Sequence, residues 1–435
     1  MNFRKVCVIG LGYIGLPMTS TFATHGLQVI GVDINTEVVE ILRNGAVHIS
    51  EPGLGQLVQE AVISGRLKVS DTLEAADAFI IAVPTPFYEH EHGTFNGQPY
   101  RLADMRAVTA ATESIVGHLR PGNLVVLEST SPPRTTLDLV QPILERSGLK
   151  AGADFHLVYS PERVLPGRIL QELSENARVI GGIDEASAMA GKDLYAHFVK
   201  GEIVLTDATT AEMVKLMENT YRDINIAIAI EFSRLAERFG VDIWEAIRIA
   251  NRHPRVKILN PGPGVGGHCI SVDPWFLVEA APDLTELITT ARHVNDEQPR
   301  YVLALVRAAA GEDLHEKRIA VLGLAFKPDV DDLRESPAIE VAKLLAQVGA
   351  SVKAYEPYKL DATIPGVRSA ASLDEAIADA EVIILLVGHR ELKGLDPLNL
   401  IGLTPARLVV DTVNGWEEQA WTKAGFKVIR LGVGK

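Results

Sequence analysis

The stretch 4–10, with the apolar run Val6-Cys7-Val8-Ile9 inside it, ends in Gly10-Leu-Gly12-Tyr-Ile-Gly15, and a second stretch over 28–32, apolar from Val29, ends in Asp33. A short, wholly apolar run predicts a strand covered on both faces, as in a parallel sheet. The glycines then predict a tight turn opening a helix, with Gly26 as its C-cap. Strand, turn, helix and strand in this order make a βαβ unit, which few other folds accommodate. Glycines at these spacings let backbone approach a pyrophosphate, the helix N-terminus favours its charge, and Asp33 is placed to accept hydrogen bonds from an adenosine ribose. A carboxylate there repels a 2′-phosphate. NAD rather than NADP is therefore the expected cofactor, held by Gly10, Gly12, Gly15 and Asp33. A ligand-free tight turn would leave the three glycines and the acid as a coincidence.

More units of the same kind follow, with strands expected at 78–83 and 124–127. Pro84-Thr85-Pro86 and Ser129-Thr130 end these strands at one sheet edge, placed to line the nicotinamide side. The last third repeats the plan. Residues 318–322 read as a strand, Ser336-Pro337 as an N-cap with proline at the first helical position, and 351–355 as the next strand. Asp33 and Glu356 each lie seven positions after a glycine, Gly26 or Gly349. Ala76-Asp77 before the 78–83 run parallels Ala380-Glu381 before 382–387, and residues 124–127 parallel 408–411. Residues 210–238 between the halves are helix formers with apolar residues at helical spacing. The expected fold is α/β: two Rossmann-like doubly wound domains joined by a central helical domain with a long helix. The expected boundaries are 1–200, 201–305 and 315–435. A first loop with Gly323 as its one glycine, followed by Lys327, suits a nucleotide diphosphate better than a second dinucleotide.

Composition narrows the function classes. The net charge of -14 argues against a nucleic-acid or membrane-surface binder, which needs a basic face, but leaves room for a small anionic substrate held by local Lys and Arg. The chain has two cysteines, Cys7 in an apolar strand and Cys269 in a glycine-rich loop, which fits a reducing, cytoplasmic setting without disulfides. No signal-peptide pattern and no membrane-length apolar run stand out. No metal is expected.

Three segments carry candidate chemistry. Asn260-Pro-Gly-Pro-Gly-Val-Gly-Gly-His268-Cys269 leaves almost no side chains before a thiol, so its N–H groups can meet a phosphate or sugar hydroxyl. The thiol is a candidate nucleophile where donors stabilise the thiolate; the bland alternative is a structural cysteine. Asp273 follows four residues on. Lys215, Asn219 and Arg222 fall at i, i+4 and i+7 on one helix face, either a solvated stripe or a lysine beside a reacting oxygen. Tyr159-Ser-Pro-Glu162-Arg163-Val164 offers Glu162 as a base or water-positioning group. Alone it would more often be a surface acid.

In this combination and order, the chain resembles the UDP-glucose/GDP-mannose dehydrogenase family along nearly its whole length. The matching motifs end with Gly323-Leu-Ala-Phe-Lys327-Pro and Arg334-Glu-Ser-Pro337. Residues 160–167, 251–256 and 261–276 resemble the branch that acts on UDP-N-acetylmannosamine, where the glucose branch more often has Pro-Glu-Phe-Leu in place of Pro-Glu-Arg-Val. The resemblance implies an oxidoreductase that converts the 6-position CH2OH of a nucleotide sugar to a carboxylate with two NAD, in surface polysaccharide synthesis. It implies Cys269 as nucleophile, Lys215 assisting proton transfer and stabilising developing oxyanions, Asn219 among the catalytic residues, and Thr130, Glu162 and Asp273 at the catalytic water. It implies Tyr13, Ile14, Asp33, Thr85, Thr130 and Arg334 at NAD. The nucleotide sugar would meet Arg163, Val164, Lys215, Asn219, Arg222, His253, Arg255, Gly266, Phe326 and Lys327. In the family Arg255 comes from a partner subunit, so a homodimer or higher homo-oligomer is expected. Near Asp411-Thr-Val413-Asn414 relatives often have a Lys or Arg that binds substrate, and this chain has neither.

Rival readings remain at this level. A two-electron β-hydroxyacid dehydrogenase shares a Rossmann-plus-helical layout but does not need Cys269 and yields one NADH per substrate. An NAD-sensing scaffold leaves Lys215 and Cys269 without purpose. Within the family, UDP-N-acetylglucosamine and UDP-glucose compete as substrates.

Overall fold

The computed structural model describes residues 1, 3–267 and 269–434, with the backbone alone at Glu89; His268 of the cysteine loop lies outside the described residues. The chain forms two compact units, Met1–Glu218 with Trp275–Thr285, and Asn219–Pro274 with Glu286–Lys435.

The first unit is built on an eight-stranded sheet. From one edge the strands run Leu67–Ser70, Gln28–Val32, Lys5–Ile9, Ala78–Ile81, Leu124–Leu127 and His156–Tyr159, all parallel. Arg178–Gly182 then pairs antiparallel to His156–Tyr159, and Ile203–Asp207 pairs parallel to Arg178–Gly182. Strand residues alternate between two apolar layers: Val6 and Val8 pack in one, Cys7 and Ile9 in the other. That two-sided burial is why the first run shows no polar alternation. Each Val, Leu or Ile so buried contributes about 1.5–3 kcal/mol relative to exposure. Strand order reverses between Lys5–Ile9 and Ala78–Ile81, and the glycine turn begins at this switch point. Open α/β sheets bind ligands at such crevices. The 78–83 strand ends at Ile81, where Glu128 and Ser129 both donate N–H to the Ile81 carbonyl and the chain turns into the loop bearing Thr85. A hairpin, Phe87–Phe95 with Gln98–Ala103, turns at Asn96-Gly97, both at positive φ.

The second unit holds six parallel strands in the order Arg368–Ser369, Ser351–Tyr355, Arg318–Leu322, Val382–Leu385, Leu408–Asp411 and Lys427–Arg430. Ile319 and Val321 pack in one layer, Ala320 and Leu322 in the other. Its switch point lies after Gly323, between Arg318–Leu322 and Val382–Leu385. Ser336 caps the Pro337–Gln347 helix by accepting from the Ala338 N–H. The long helix spans Ala208–Phe239. Midway along it Asp223 is buried and takes hydrogen bonds from Arg292 and Asn295 of the Glu286–Asp296 helix. No helix among the described residues is long and apolar enough to cross a membrane.

Candidate active site

In the first unit the glycine turn is shaped from inside. Gly10 sits at φ +95, and a Cβ on Gly15 would lie 1.8 Å from the Gly10 carbonyl oxygen, so helix and strand meet closer than any side chain allows. A Cβ on Gly12 would meet nothing within 4 Å. The turn is thus open at the middle glycine, where a pyrophosphate approaches, and the residues present fit the dinucleotide. Asp33 accepts from the Leu11 N–H at 2.9 Å and, through its other oxygen, from the Asn35 N–H at 2.9 Å. Each oxygen keeps a second lone pair for a ribose hydroxyl. Tyr13 and Ile14 lead into the Gly15–Thr24 helix and pack partly buried on the core. Thr85 and Thr130 come together, the Thr85 hydroxyl donating to the Thr130 carbonyl at 2.7 Å.

The Pro-Glu-Arg loop meets the lysine helix through its main chain. Lys215, 7% exposed, donates from Nζ to the Glu162 carbonyl oxygen at 2.9 Å. Burial of Lys215 and Asn219 rules out the solvated-stripe reading for those two positions. The Glu162 carboxylate accepts from the Arg163 N–H at 2.6 Å and from Arg178 Nη1 at 3.0 Å. The Arg163 guanidinium is engaged, donating to Glu218 at 2.7 Å and to the Ala177 carbonyl at 2.6 Å. Val164 packs partly buried against the core.

In the second unit Asn219, Asp273 and Arg222 form a chain. The Asn219 amide donates to the Asp273 carboxylate, and Arg222 donates to the Asn219 amide oxygen. The Cys269 carbonyl accepts from the N–H groups of Val272 (3.1 Å) and Asp273 (2.8 Å), so the thiol sits on the turn that opens the Asp273–Ala280 helix. Cys269 is exposed, and neither it nor Cys7 is in a disulfide. Burial pushes the Cys7 thiol up to about 12, which makes it inert at neutral pH.

The glycine loop before Cys269 is seated on the loop after Gly323. A Cβ on Gly266 would lie 2.5 Å from the Glu335 carbonyl oxygen and 3.0 Å from Phe326 Cβ; one on Gly267 would strike the Phe326 ring at 2.7 Å. The Gly267 N–H donates to the Arg334 carbonyl at 3.1 Å. These glycines bring Gly266, Phe326 and the Arg334 backbone together. The Arg334 side chain pairs with Asp332 at 2.6 Å. His253 and Arg255 stay in an exposed turn, where His253 Nδ1 accepts from the Arg255 N–H at 3.3 Å.

Glu356, the counterpart of Asp33 in the second sheet, is engaged from several sides. One oxygen of its buried carboxylate accepts from the Leu324 and Ala325 N–H groups at 2.7 and 2.9 Å and meets His389 Nε2 at 3.1 Å; the other accepts from the Tyr358 N–H at 3.0 Å. His389 Nδ1 accepts from the Asp329 N–H at 2.9 Å, so Nε2 is the nitrogen that faces Glu356. The acid is spent on the loop that carries Phe326 and Lys327, with little capacity left for a ribose.

Sequence reasoning missed Arg178, Glu128 and the cations near Val413. Lys393 and Arg430 line a cavity of about 510 Å³ with Asn414 and Trp416, at the C-terminal end of the Leu408–Asp411 strand. Arg430 is held by Asp242, Glu418 and Asn414. A lysine at the end of the Arg390–Lys393 helix, upstream of 413 and 414, was the available signal.

Three segments match profiles of one family: residues 4–199 the NAD binding domain, 209–297 the central domain and 320–418 the UDP binding domain. A UDP-N-acetyl-D-mannosamine dehydrogenase of Methanococcus maripaludis is 45% identical over 437 residues, covering 100% of this chain and 98% of the relative. An NDP-N-acetyl-D-galactosaminuronic acid dehydrogenase of Ralstonia solanacearum is also 45% identical, covering 96% of this chain and 97% of the relative. The solved structure of a UDP-N-acetyl-D-mannosamine dehydrogenase from Pyrococcus horikoshii superposes with a TM-score of 0.88 at 39% identity, covering 99% of this chain and 100% of that one. Matched domains in this order, and identity along the whole length, make this protein a member of the UDP-glucose/GDP-mannose dehydrogenase family, with NAD as its cofactor.

Proposed function

We propose that the protein oxidises C6 of UDP-N-acetyl-D-mannosamine to the carboxylate in a four-electron reaction with Cys269 as covalent nucleophile, serving surface polysaccharide synthesis. The observation that carries the covalent part is the seating of the Cys269 loop. Glycines without room for a Cβ press it onto the Phe326 loop of the domain matched as UDP binding, and the thiol emerges exposed where its carbonyl caps the turn before Asp273. Relatives named for UDP-N-acetyl-D-mannosamine support the sugar. A relative of equal identity named for a galactosaminuronic acid leaves the choice to direct assay.

Each step balances. The C6 hydroxyl loses its proton and C6 a hydride, leaving an aldehyde. The Cys269 thiolate adds to that carbon, and the thiohemiacetal loses a second hydride to become a thioester. Water adds to the thioester carbonyl, the C–S bond breaks, and the uronate leaves with the thiolate restored. NAD, when bound, supplies the hydride acceptor. Lys215 stabilises negative charge developing on the C6 oxygen. Glu162, Asp273 and Thr130 serve the water, and Asn219 holds Asp273. Tyr13, Ile14, Asp33, Thr85 and Arg334 serve the dinucleotide. Arg163, Val164, Arg222, His253, Arg255, Gly266, Phe326 and Lys327 serve the nucleotide sugar. For Arg163 this is a main-chain role, because its guanidinium is already paired.

Assembly through the long helix belongs to the same reading. Met217, Tyr221, Ile228, Phe232, Leu235 and Phe239 are exposed, and at 100° per residue they fall within one narrow stripe. A second copy packed along that stripe gives the homodimer in which Arg255 of one chain serves the other.

The test is a panel of UDP-N-acetylmannosamine, UDP-N-acetylglucosamine, UDP-N-acetylgalactosamine and UDP-glucose, with NADH counted per sugar consumed. The expected result is about two NADH and one uronate for UDP-N-acetylmannosamine, with the others slower by at least tenfold. Cys269→Ser should bind NAD and sugar but nearly lose turnover. Near-normal uronate formation by Cys269→Ser would end the covalent reading.

A further inference from the structure

A charge buried at the head of a strand calls for a reason, because apolar residues of similar volume usually serve stability as well or better. Arg178 opens the Arg178–Gly182 strand and is 5% exposed. Its Nη1 donates to the Glu162 carboxylate at 3.0 Å, its Nη2 donates to Glu128, and its Nε donates to the Ser160 hydroxyl at 3.0 Å. The guanidinium carbon lies 3.8 Å from the Tyr195 ring centroid, and the Tyr195 hydroxyl donates to Glu128 at 3.3 Å. The cation is thus locked on several sides with one fork aimed at Glu162.

We propose that Arg178 is a positioning residue for thioester hydrolysis, its guanidinium fixing the Glu162 carboxylate so that the remaining lone pairs of that carboxylate hold the attacking water. The inference rests on the covalent reading above. A carboxylate has about four lone-pair sites. The Arg163 N–H and Arg178 occupy one on each oxygen, leaving one on each for water. The Glu162 carbonyl meanwhile takes one of the three Lys215 ammonium protons. The ammonium is held by the main chain and Arg178 meets the carboxylate, so Arg178 acts on the carboxylate alone. Glu128 supports the arrangement. Burial pushes its carboxyl up to about 8 against the opposing charge of Arg178. The same burial disfavours charge on Glu128 and turns more of the guanidinium's attraction toward Glu162.

The step affected is the last one. Water forms the new C–O bond and passes a proton to Glu162, the C–S bond breaks, and the electron pair leaves with sulfur. Neither hydride removal uses this water. A Glu162 that swings loose therefore stalls the protein as its thioester without slowing the oxidations that form it.

The test compares the full chain as wild type, Arg178→Lys, the double variant Glu128→Leu/Arg178→Met, and Glu162→Gln. The double variant replaces Glu128 and Arg178 together with apolar groups of similar size, so no unpaired Glu128 is left in the core, and Arg178→Lys keeps a cation for Glu162 where loss of that partner is not tolerated. Each protein is mixed with NAD and UDP-N-acetylmannosamine and quenched over time, with NADH and intact protein mass recorded. The expected result for the Arg178 variants is a burst of about two NADH per thiol, a uronyl adduct on the protein, and steady turnover lower by about a hundredfold. The thermal midpoint of the double variant and its KM for NAD should stay near wild type. A folded double variant that turns over at the wild-type rate, or is slow in the first hydride without an adduct, overturns the proposal. If Glu162→Gln accumulates the adduct and the Arg178 variants do not, the positioning role alone is wrong. If Glu162→Gln is slow and shows no adduct either, the covalent reading is wrong and the Arg178 proposal falls with it.

Discussion

The Asn219 amide donates a hydrogen bond to the Asp273 carboxylate across 54 residues of sequence, with both side chains buried. Arg222 occupies the amide oxygen, so the amide nitrogen has to face Asp273 and the flip is determined by its neighbours. Because the Asp273 N–H also donates to the Cys269 carbonyl, one amide on the long helix anchors the turn that carries the thiol. Asn219→Asp replaces the donor with a second carboxylate in hydrogen-bond contact, and two such groups cannot both ionise cheaply. We expect kcat to fall about a hundredfold at pH 7.5 and to recover partly toward pH 5.5, where one shared proton restores the bond. Asn219→Ala should lose as much without recovering. Matching kcat–pH profiles for the two variants would contradict the anchor.

The loop seat gives a sharper steric case. A Cβ on Gly266 meets the Glu335 carbonyl and Pro337, neither of which can swing aside, whereas one on Gly262 meets nothing within 4 Å. Gly266→Ala should lift the thiol loop off Phe326 at a cost of about 1–3 kcal/mol. It should lower kcat/KM by about a hundredfold and change the rate of Cys269 alkylation. Gly262→Ala should stay near wild type in both. Equal effects of the two substitutions would show that the seat does not depend on close approach.

The inner strands of both sheets were legible because strands covered on two faces advertise themselves as apolar runs, and the glycine turn with Asp33 announces the first sheet's switch point; the outer strands, such as Leu67–Ser70 and Ile203–Asp207, carry shorter or more polar runs. The 87–103 hairpin carried a readable Asn96-Gly97 turn, but its flanks, Glu-His-Glu-His among them, lack the alternation that marks a half-buried strand. Side-chain engagement was much less legible. Arg163 reads as a substrate arm by its place in the motif, yet its guanidinium is spent on Glu218 and a carbonyl. Arg178 reads as the polar end of a strand, and only folding brings Glu128, Glu162 and Tyr195 around it from 50, 16 and 17 residues away. Glu356 sits where Asp33 does by sequence but is consumed by its own loop and His389.

Lys393 offers a charge where Val413 and Asn414 have none. It lies against Gly388 and Gly415 and lines the cavity at the end of the Leu408–Asp411 strand. The other cation there, Arg430, is already neutralised by Asp242 and Glu418. Lys393→Ala should raise the KM for the nucleotide sugar about tenfold, as expected for loss of one charge-assisted contact of 1.5–3 kcal/mol, with kcat and the KM for NAD little changed. Adding salt should raise the wild-type KM more than that of the variant. An unchanged sugar KM would place the substrate anion elsewhere.

Glu128 sets a stability signature that activity does not report. Its carboxyl, about 4.3 in an unfolded chain, rises to about 8 when folded because burial disfavours the charge, Arg178 and the Tyr195 hydrogen bond notwithstanding. A raised folded value means that the folded state holds this proton more tightly than the unfolded one does. The resulting stabilisation is whole below about pH 4.3, shrinks as the unfolded chain gives up its proton, and is gone once pH passes about 8. Glu128→Gln keeps the shape and the neutral form at every pH. The thermal midpoint of the variant should therefore gain on wild type between pH 5 and pH 8 and run parallel to it above that. Midpoints measured at pH 5, 6.5, 8 and 9 decide the matter. A constant gap across the range would mean that Glu128 is ionised throughout and that the guanidinium charge is shared equally between the two carboxylates.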